Sequence, residues 1–99
     1  MNVMEHSEFM SAVKELESQI MEEVGDAQNY MNCADHWKLE TAIASGYSAI
    51  AKQELEHAKK LQDMLPLIKG SEEFTPEQKT IITFLMDMNA DQIRKVANR

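Results

Sequence analysis

Apolar residues recur along two long stretches of the 99-residue chain at alternating intervals of four and three. In the first stretch this line runs through Phe9, Val13, Leu16, Ile20, Glu23, Ala27, Tyr30, Ala34 and Trp37. In the second it runs through Ile43, Tyr47, Ile50, Glu54, His57, Leu61, Met64 and Ile68. A four-three line is the core-facing stripe of a bundle helix. Gly25 is the only helix breaker between Ser7 and Trp37, and Gly46 the only one between Glu40 and Leu65. The pattern therefore predicts helices over about 7–37 and about 40–65. Pro66, Gly70, Ser71 and the acidic pair Glu72 and Glu73 mark a linker over 66–75. Thr75, Pro76 and Gln78 then supply an N-cap, a first-turn proline and a capping-box partner. A third helix is predicted over about 76–97, with Ile81, Leu85 and Met88 on one face and Phe84 beside it.

These elements make an all-α single domain spanning 1–99: a long antiparallel hairpin followed by a third helix. Three Gly and two Pro exclude a low-complexity or collagenous chain. Ten Lys and Arg against 17 Asp and Glu leave a net charge of −7. Such a surface has no general means of neutralising phosphates, which argues against nucleic acid as a partner, and it attracts cations. One cysteine excludes an internal disulfide and suits a reducing compartment. The segment Met1 to Met10 carries Glu5 and Glu8 and has no basic or apolar leader pattern. No apolar run approaches the ~18 residues of a membrane span. A cytoplasmic chain with no membrane partner is expected.

Three ionisable residues interrupt the apolar lines: Glu23 in the first helix, Glu54 and His57 in the second. Antiparallel pairing of Glu23 with the Glu54–His57 midpoint places the turn near residue 39, where the stripe is broken at Lys38, Leu39 and Glu40. Each carboxylate then lies ~15 residues, or ~22 Å of helix, from that turn, and all three groups share one level of one seam. Glu54 and His57 leave the same helix face at i and i+3. A carboxylate and an imidazole there can hold one metal ion, with Glu23 able to bridge. Two Glu and one His suit iron or manganese, and zinc less selectively. A dinuclear carboxylate site in a bundle takes a Glu from each of two helices and a Glu-x-x-His from each of the other two. One chain holds half of that set, since neither His6 nor His36 ends a Glu-x-x-His motif and the third helix has no histidine. A twofold dimer would complete it.

Glu23 with Tyr30 seven residues on, followed by Glu54-Leu55-Glu56-His57-Ala58, resembles the first half of a rubrerythrin or ferritin-like di-iron bundle over roughly residues 16–65. The short chain is most similar in style to the encapsulated ferritins and to small ferritin-like proteins of bacteria and phages. That resemblance implies Glu23, Glu54 and His57 as metal ligands at a catalytic di-iron site, with Tyr30 beside them. It implies a ferritin-like four-helix bundle completed by dimerisation, as a homodimer or a ring of dimers, and oxidation of Fe(II) with O2 or H2O2 between two chains. There is no Cys-x-x-Cys pair for a rubredoxin-type electron-transfer module. Residues Gln92 to Arg99 do not resemble the tail that targets cargo into encapsulin shells, which argues against that partner. A chain of this length cannot form the ferritin four-helix subunit alone, which argues against a large storage cage.

Other readings stay open at this point. A seam carboxylate can serve as a register device in a non-catalytic helical oligomer, and the same ligands could hold Mn or Zn without turnover. Glu22, Asp26 and Glu56 flank the ligands, either as a solvated acidic face or as a route that concentrates cations. Tyr30 and Trp37 read first as packing residues. Cys33 and His36 could form half of a zinc site, which only a second chain would close. The methionines read as core filler or interface.

Overall fold

The computed structural model of the chain describes residues 6–68 and 74–99. It is all-helical, and no strand occurs among the described residues. Helix α1 spans His6–His36, α2 spans Thr41–Met64, and α3 spans Pro76–Ala97. The molecule is a rod of 57 × 19 × 18 Å, its length set by the 31 residues of α1. Residues 37–40 reverse the chain through bonds from Trp37 N to Cys33 O (3.0 Å) and from Glu40 N to Trp37 O (2.8 Å). The turn thus falls where the broken stripe places it.

Pro66 ends α2, because its ring removes an amide donor and clashes with the preceding turn. The chain tightens there into a 3-10 turn, Leu65–Leu67, so the beginning of the expected linker is ordered structure anchored by fully buried Leu65. Phe74 packs edge-on against Phe9, with ring centroids 5.7 Å apart. The remainder of the linker, residues 69–73, lies outside the described residues. Helix α3 opens with the expected capping box: Gln78 N donates to Thr75 Oγ1 (3.1 Å), and Thr75 N donates to Gln78 Oε1 (3.0 Å).

The hairpin closes through small and apolar residues: Phe9, Val13, Ile20, Ala27 and Ala34 of α1, and Ala51, Leu55, Ala58 and Leu65 after the turn. The buried line of α2 is therefore displaced from the one its larger residues suggest. Ile43, Ile50 and Met64 remain 44%, 38% and 48% exposed, and Trp37 in the turn 39%. Alanines allow the two backbones to approach closely, and that rotates the bulky stripe outward.

Helix α3 runs parallel to α1. Asn89 Nδ2 donates to Glu17 Oε1 (2.7 Å), and Arg99 donates to Gln28 O (3.3 Å) and Asp35 Oδ2 (3.0 Å). Its buried face is Gln78, Ile82, Asn89, Ile93 and Val96. Of the face expected from sequence, Ile81, Leu85 and Met88 are half-buried along its flank and Phe84 is 65% exposed. The polar residues Gln78 and Asn89 occupy core positions and hide the true stripe. Six residues separate Glu17 from Glu23, which turns them roughly 120° apart around α1. Helix α3 thus covers one side of the hairpin, and Glu23 faces the other.

Gly25 is exposed mid-helix, and a Cβ built there meets nothing within 4 Å. Replacement by alanine adds helix propensity without a clash. Gly25→Ala is expected to raise stability by about 0.5–1 kcal/mol in a urea melt. A loss instead would mean that another chain presses on α1 at this point.

Candidate metal centre

Glu23, Glu54 and His57 come together on the side of the hairpin away from α3. One ligand atom from each lies within 4.8 Å of the others, and this is the one such group of three among the described residues. Helical periodicity accounts for the convergence. Glu54 and His57 are one turn apart on α2, and the turn at 37–40 brings Glu23 to their level. Glu23 is 25% exposed and His57 56%, with His57 Nδ1 3.6 Å from Glu23 Oε2. That distance is an electrostatic approach and too long for a hydrogen bond. Glu23 Oε2 is buried without a hydrogen-bond partner, an acceptor directed into the cluster.

The two carboxyl groups are not independent. A hydrogen bond with Glu23 holds the Glu54 pKa above its ordinary value, with partial burial and the Glu23 charge adding to the effect and the nearby His57 opposing it. A hydrogen bond between two carboxyl groups requires a proton on one of them. The cluster is two neighbouring carboxyl groups with an imidazole at its rim.

The donor set fits a cation. Metal–donor bonds of about 2.0–2.2 Å place opposite donors ~4 Å apart, and the observed grouping is only slightly wider. Each atom that would bind is an oxygen or imidazole nitrogen, the chemistry of iron, manganese or zinc. A cation would also give the buried Glu23 oxygen a partner.

The other sequence candidates sit around this group without joining it. Glu22 and Glu56 are exposed and Asp26 is half-buried. Tyr30 stacks on Tyr47, with centroids 6.3 Å apart and planes at 27°, two turns or roughly 10 Å along the helix from Glu23. Its ring contact is with Tyr47 and not with the ligands. Tyr47 is visible in the sequence as a stripe residue, but its pairing follows only from the hairpin register, since it precedes Glu54 by the same seven residues by which Tyr30 follows Glu23. Cys33 is half-buried and His36 exposed. His36 meets Trp37 edge-on at 5.6 Å, and the Cys33–His36 pair gathers no third ligand among the described residues. No described helix is long and apolar enough to cross a membrane.

Because a cation and a proton compete for Glu54, whose pKa is raised, Mn(II) binding is expected to be coupled to proton release near that pKa. Its affinity should fall as pH drops through the raised Glu54 pKa. Calorimetric titration in buffers of different ionisation enthalpy checks this. Affinity independent of pH would remove Glu54 from the ligand set.

No protein-family model, curated protein or solved structure shows a significant match to this chain.

Proposed function

We propose that the chain is a ferritin-like iron-binding protein whose dinuclear site forms between two copies and oxidises Fe(II) with O2 or H2O2. The observation that carries this reading is the grouping of Glu23, Glu54 and His57 in the middle of an apolar face that the single chain leaves open. Trp37, Ile43, Ile50 and Met64 flank the group and are each more than a third exposed. A continuous apolar face rimmed by polar residues marks an interaction surface. A twofold copy laid on it would bury these residues and double the ligands to four carboxylates and two histidines, the full complement of a dinuclear carboxylate bundle.

Iron supplies the one-electron chemistry: two Fe(II) give two electrons to one O2 or one H2O2, which takes up two protons and leaves as H2O2 or as two H2O. The chain's own residues prepare the place for it. Glu23 and Glu54 would supply the carboxylate oxygens. His57, at the exposed rim, offers a neutral nitrogen. The flanking apolar residues exclude water once covered, and so strengthen the field of the carboxylates. Glu22, Asp26 and Glu56 hold negative charge around the rim, which raises the local concentration of cations. Manganese or zinc would fit the same donors, and zinc would block turnover because it has no redox chemistry.

Shared ligation couples metal to assembly. Mn(II) or Fe(II) at about 100 times its Kd is expected to favour the dimer by about 2.7 kcal/mol, read as a monomer-to-dimer shift in sedimentation velocity. A monomer that tightly holds two metals overturns the shared site.

Glu23 separates function from structure. Glu23→Leu removes one member of the carboxyl pair and adds apolar surface at a seam position. The metal-free protein should gain stability, within the range of about 1–4 kcal/mol seen when buried charge gives way to well-packed hydrophobes. Rapid Fe(II) oxidation in a stopped-flow assay should be lost. The rival reading, a helical oligomer in which the polar seam residues set register, predicts the reverse: a less stable or mis-assembled protein. Fe(II) oxidation that survives in Glu23→Leu would refute the ferroxidase reading.

A further inference from the structure

Helices α1 and α3 meet at a polar pair that plays no part in the metal centre. Asn89 is fully buried, and its Nδ2 donates a 2.7 Å hydrogen bond to Glu17 Oε1. One acceptor is left over on each side of that bond, Glu17 Oε2 and Asn89 Oδ1, and both are buried without a hydrogen-bond partner. An ionised carboxylate only accepts, so in that state neither leftover oxygen can satisfy the other and both face a desolvation penalty. A carboxylic acid set against a carboxamide closes a ring instead. The amide N–H donates to the acid carbonyl oxygen, and the acid O–H donates to the amide carbonyl oxygen. A single proton on Oε2 thus gives both orphaned atoms a partner.

We propose that Glu17 is held as a neutral acid whose O–H donates to Asn89 Oδ1, forming a two-point clasp that fastens α3 to the hairpin and loosens when rising pH removes the proton.

The surroundings favour the neutral form. Burial holds the Glu17 pKa above the usual carboxylate range, with the Asn89 N–H bond partly opposing it. No charged group adds to either effect. On α3 the charged residues nearest in sequence to Asn89 are Asp87, which is exposed, and Asp91, which pairs with Lys95 (3.0 Å) and Arg94 on that helix's own surface. From α2, Gln62 and Lys59 line a groove with Ala90, Ile93 and Arg94 of α3. Lys59 and Asp63 are exposed. On α1 the neighbours Lys14 and Glu15 are exposed to solvent. A group whose folded pKa is raised contributes stability that is complete below its unfolded value and is lost as pH rises through the folded one. The clasp therefore closes in acid and opens as pH rises through the raised Glu17 pKa.

Glu17→Gln tests this, because an amide at position 17 keeps both bonds of the ring and cannot ionise. Backbone hydrogen exchange of the full-length protein is compared between wild type and Glu17→Gln at pH 5 and pH 8, so that intrinsic exchange rates cancel in the ratio. At pH 5 the two should match. At pH 8 the amides of α3 from Ile82 to Val96 should exchange on the order of tenfold faster in wild type, the cost of one orphaned buried acceptor. Those of α1 and α2 around Glu23 and Glu54 should stay equal. A ratio that does not change with pH, or a change spread evenly over all three helices, overturns the clasp. A carboxyl 13C titration of Glu17 in the wild-type protein reads the protonation state directly, without a variant. A midpoint above the ordinary glutamate value supports the acid form, and one at or below it refutes it.

Discussion

Close approach of α1 and α2 is the constraint on which the rest of the structure depends. Ala27 and Ala34 on one helix and Ala51 and Ala58 on the other are almost completely buried. With so little side-chain volume between them, the backbones come near enough for α2 to turn its larger apolar residues away from α1. One line of α2, through Ala51, Leu55, Ala58 and Leu65, is used within the chain. A second, through Ile43, Ile50 and Met64, is left over. The single chain has only one helix, α3, with which to cover two sides. It covers the side of Glu17, and the side of Glu23 stays open.

That division explains how much of the molecule is legible in the sequence. The turn near residue 39, the capping box at Thr75 and Gln78, and the meeting of Glu23, Glu54 and His57 all follow from spacing along the chain. Each depends on local geometry plus a single antiparallel fold-back, and a period of 3.6 residues specifies both. The face that α2 presents to α1 is not legible. Two apolar lines run side by side on it, and the bulkier residues dominate any reading by hydrophobicity, while close packing selects the smaller ones. The rotation of α3 is hidden for a different reason. Gln78 and Asn89 are polar yet buried, and Asn89 owes its place to a partner 72 positions earlier in the sequence. No local pattern carries that information.

The turn also determines where Glu23, Glu54 and His57 meet. It sits midway between Glu23 and the Glu54–His57 pair, so a change in its length by one residue would slide one helix past the other by about 1.5 Å and rotate it by about 100°. The cluster would then lose either its level or its face. Trp37 and Glu40, whose backbone bond closes the reversal, therefore help to set the donor geometry without touching it. Tyr30 and Tyr47 act in the same sense. Their stacked rings, one from each helix, lie between the turn and the cluster and tie the two helices together near its level.

Two glutamates on one helix, six residues apart, illustrate how partner chemistry assigns roles to identical side chains. Glu17 and Glu23 each have an oxygen buried without a hydrogen-bond partner, and each is bonded to a residue from another helix. Glu17 meets a carboxamide, which has a donor for one oxygen and an acceptor for the other. A proton satisfies that pair completely and leaves no anionic site for a cation. Glu23 meets a second carboxyl group and an imidazole, neither of which offers a fixed donor for the leftover oxygen. A cation would serve every member of that cluster at once. Burial alone does not separate the two sites. What separates them is the partner: α3 brings Glu17 a neutral carboxamide, whereas Glu23 meets a second carboxyl group and an exposed imidazole.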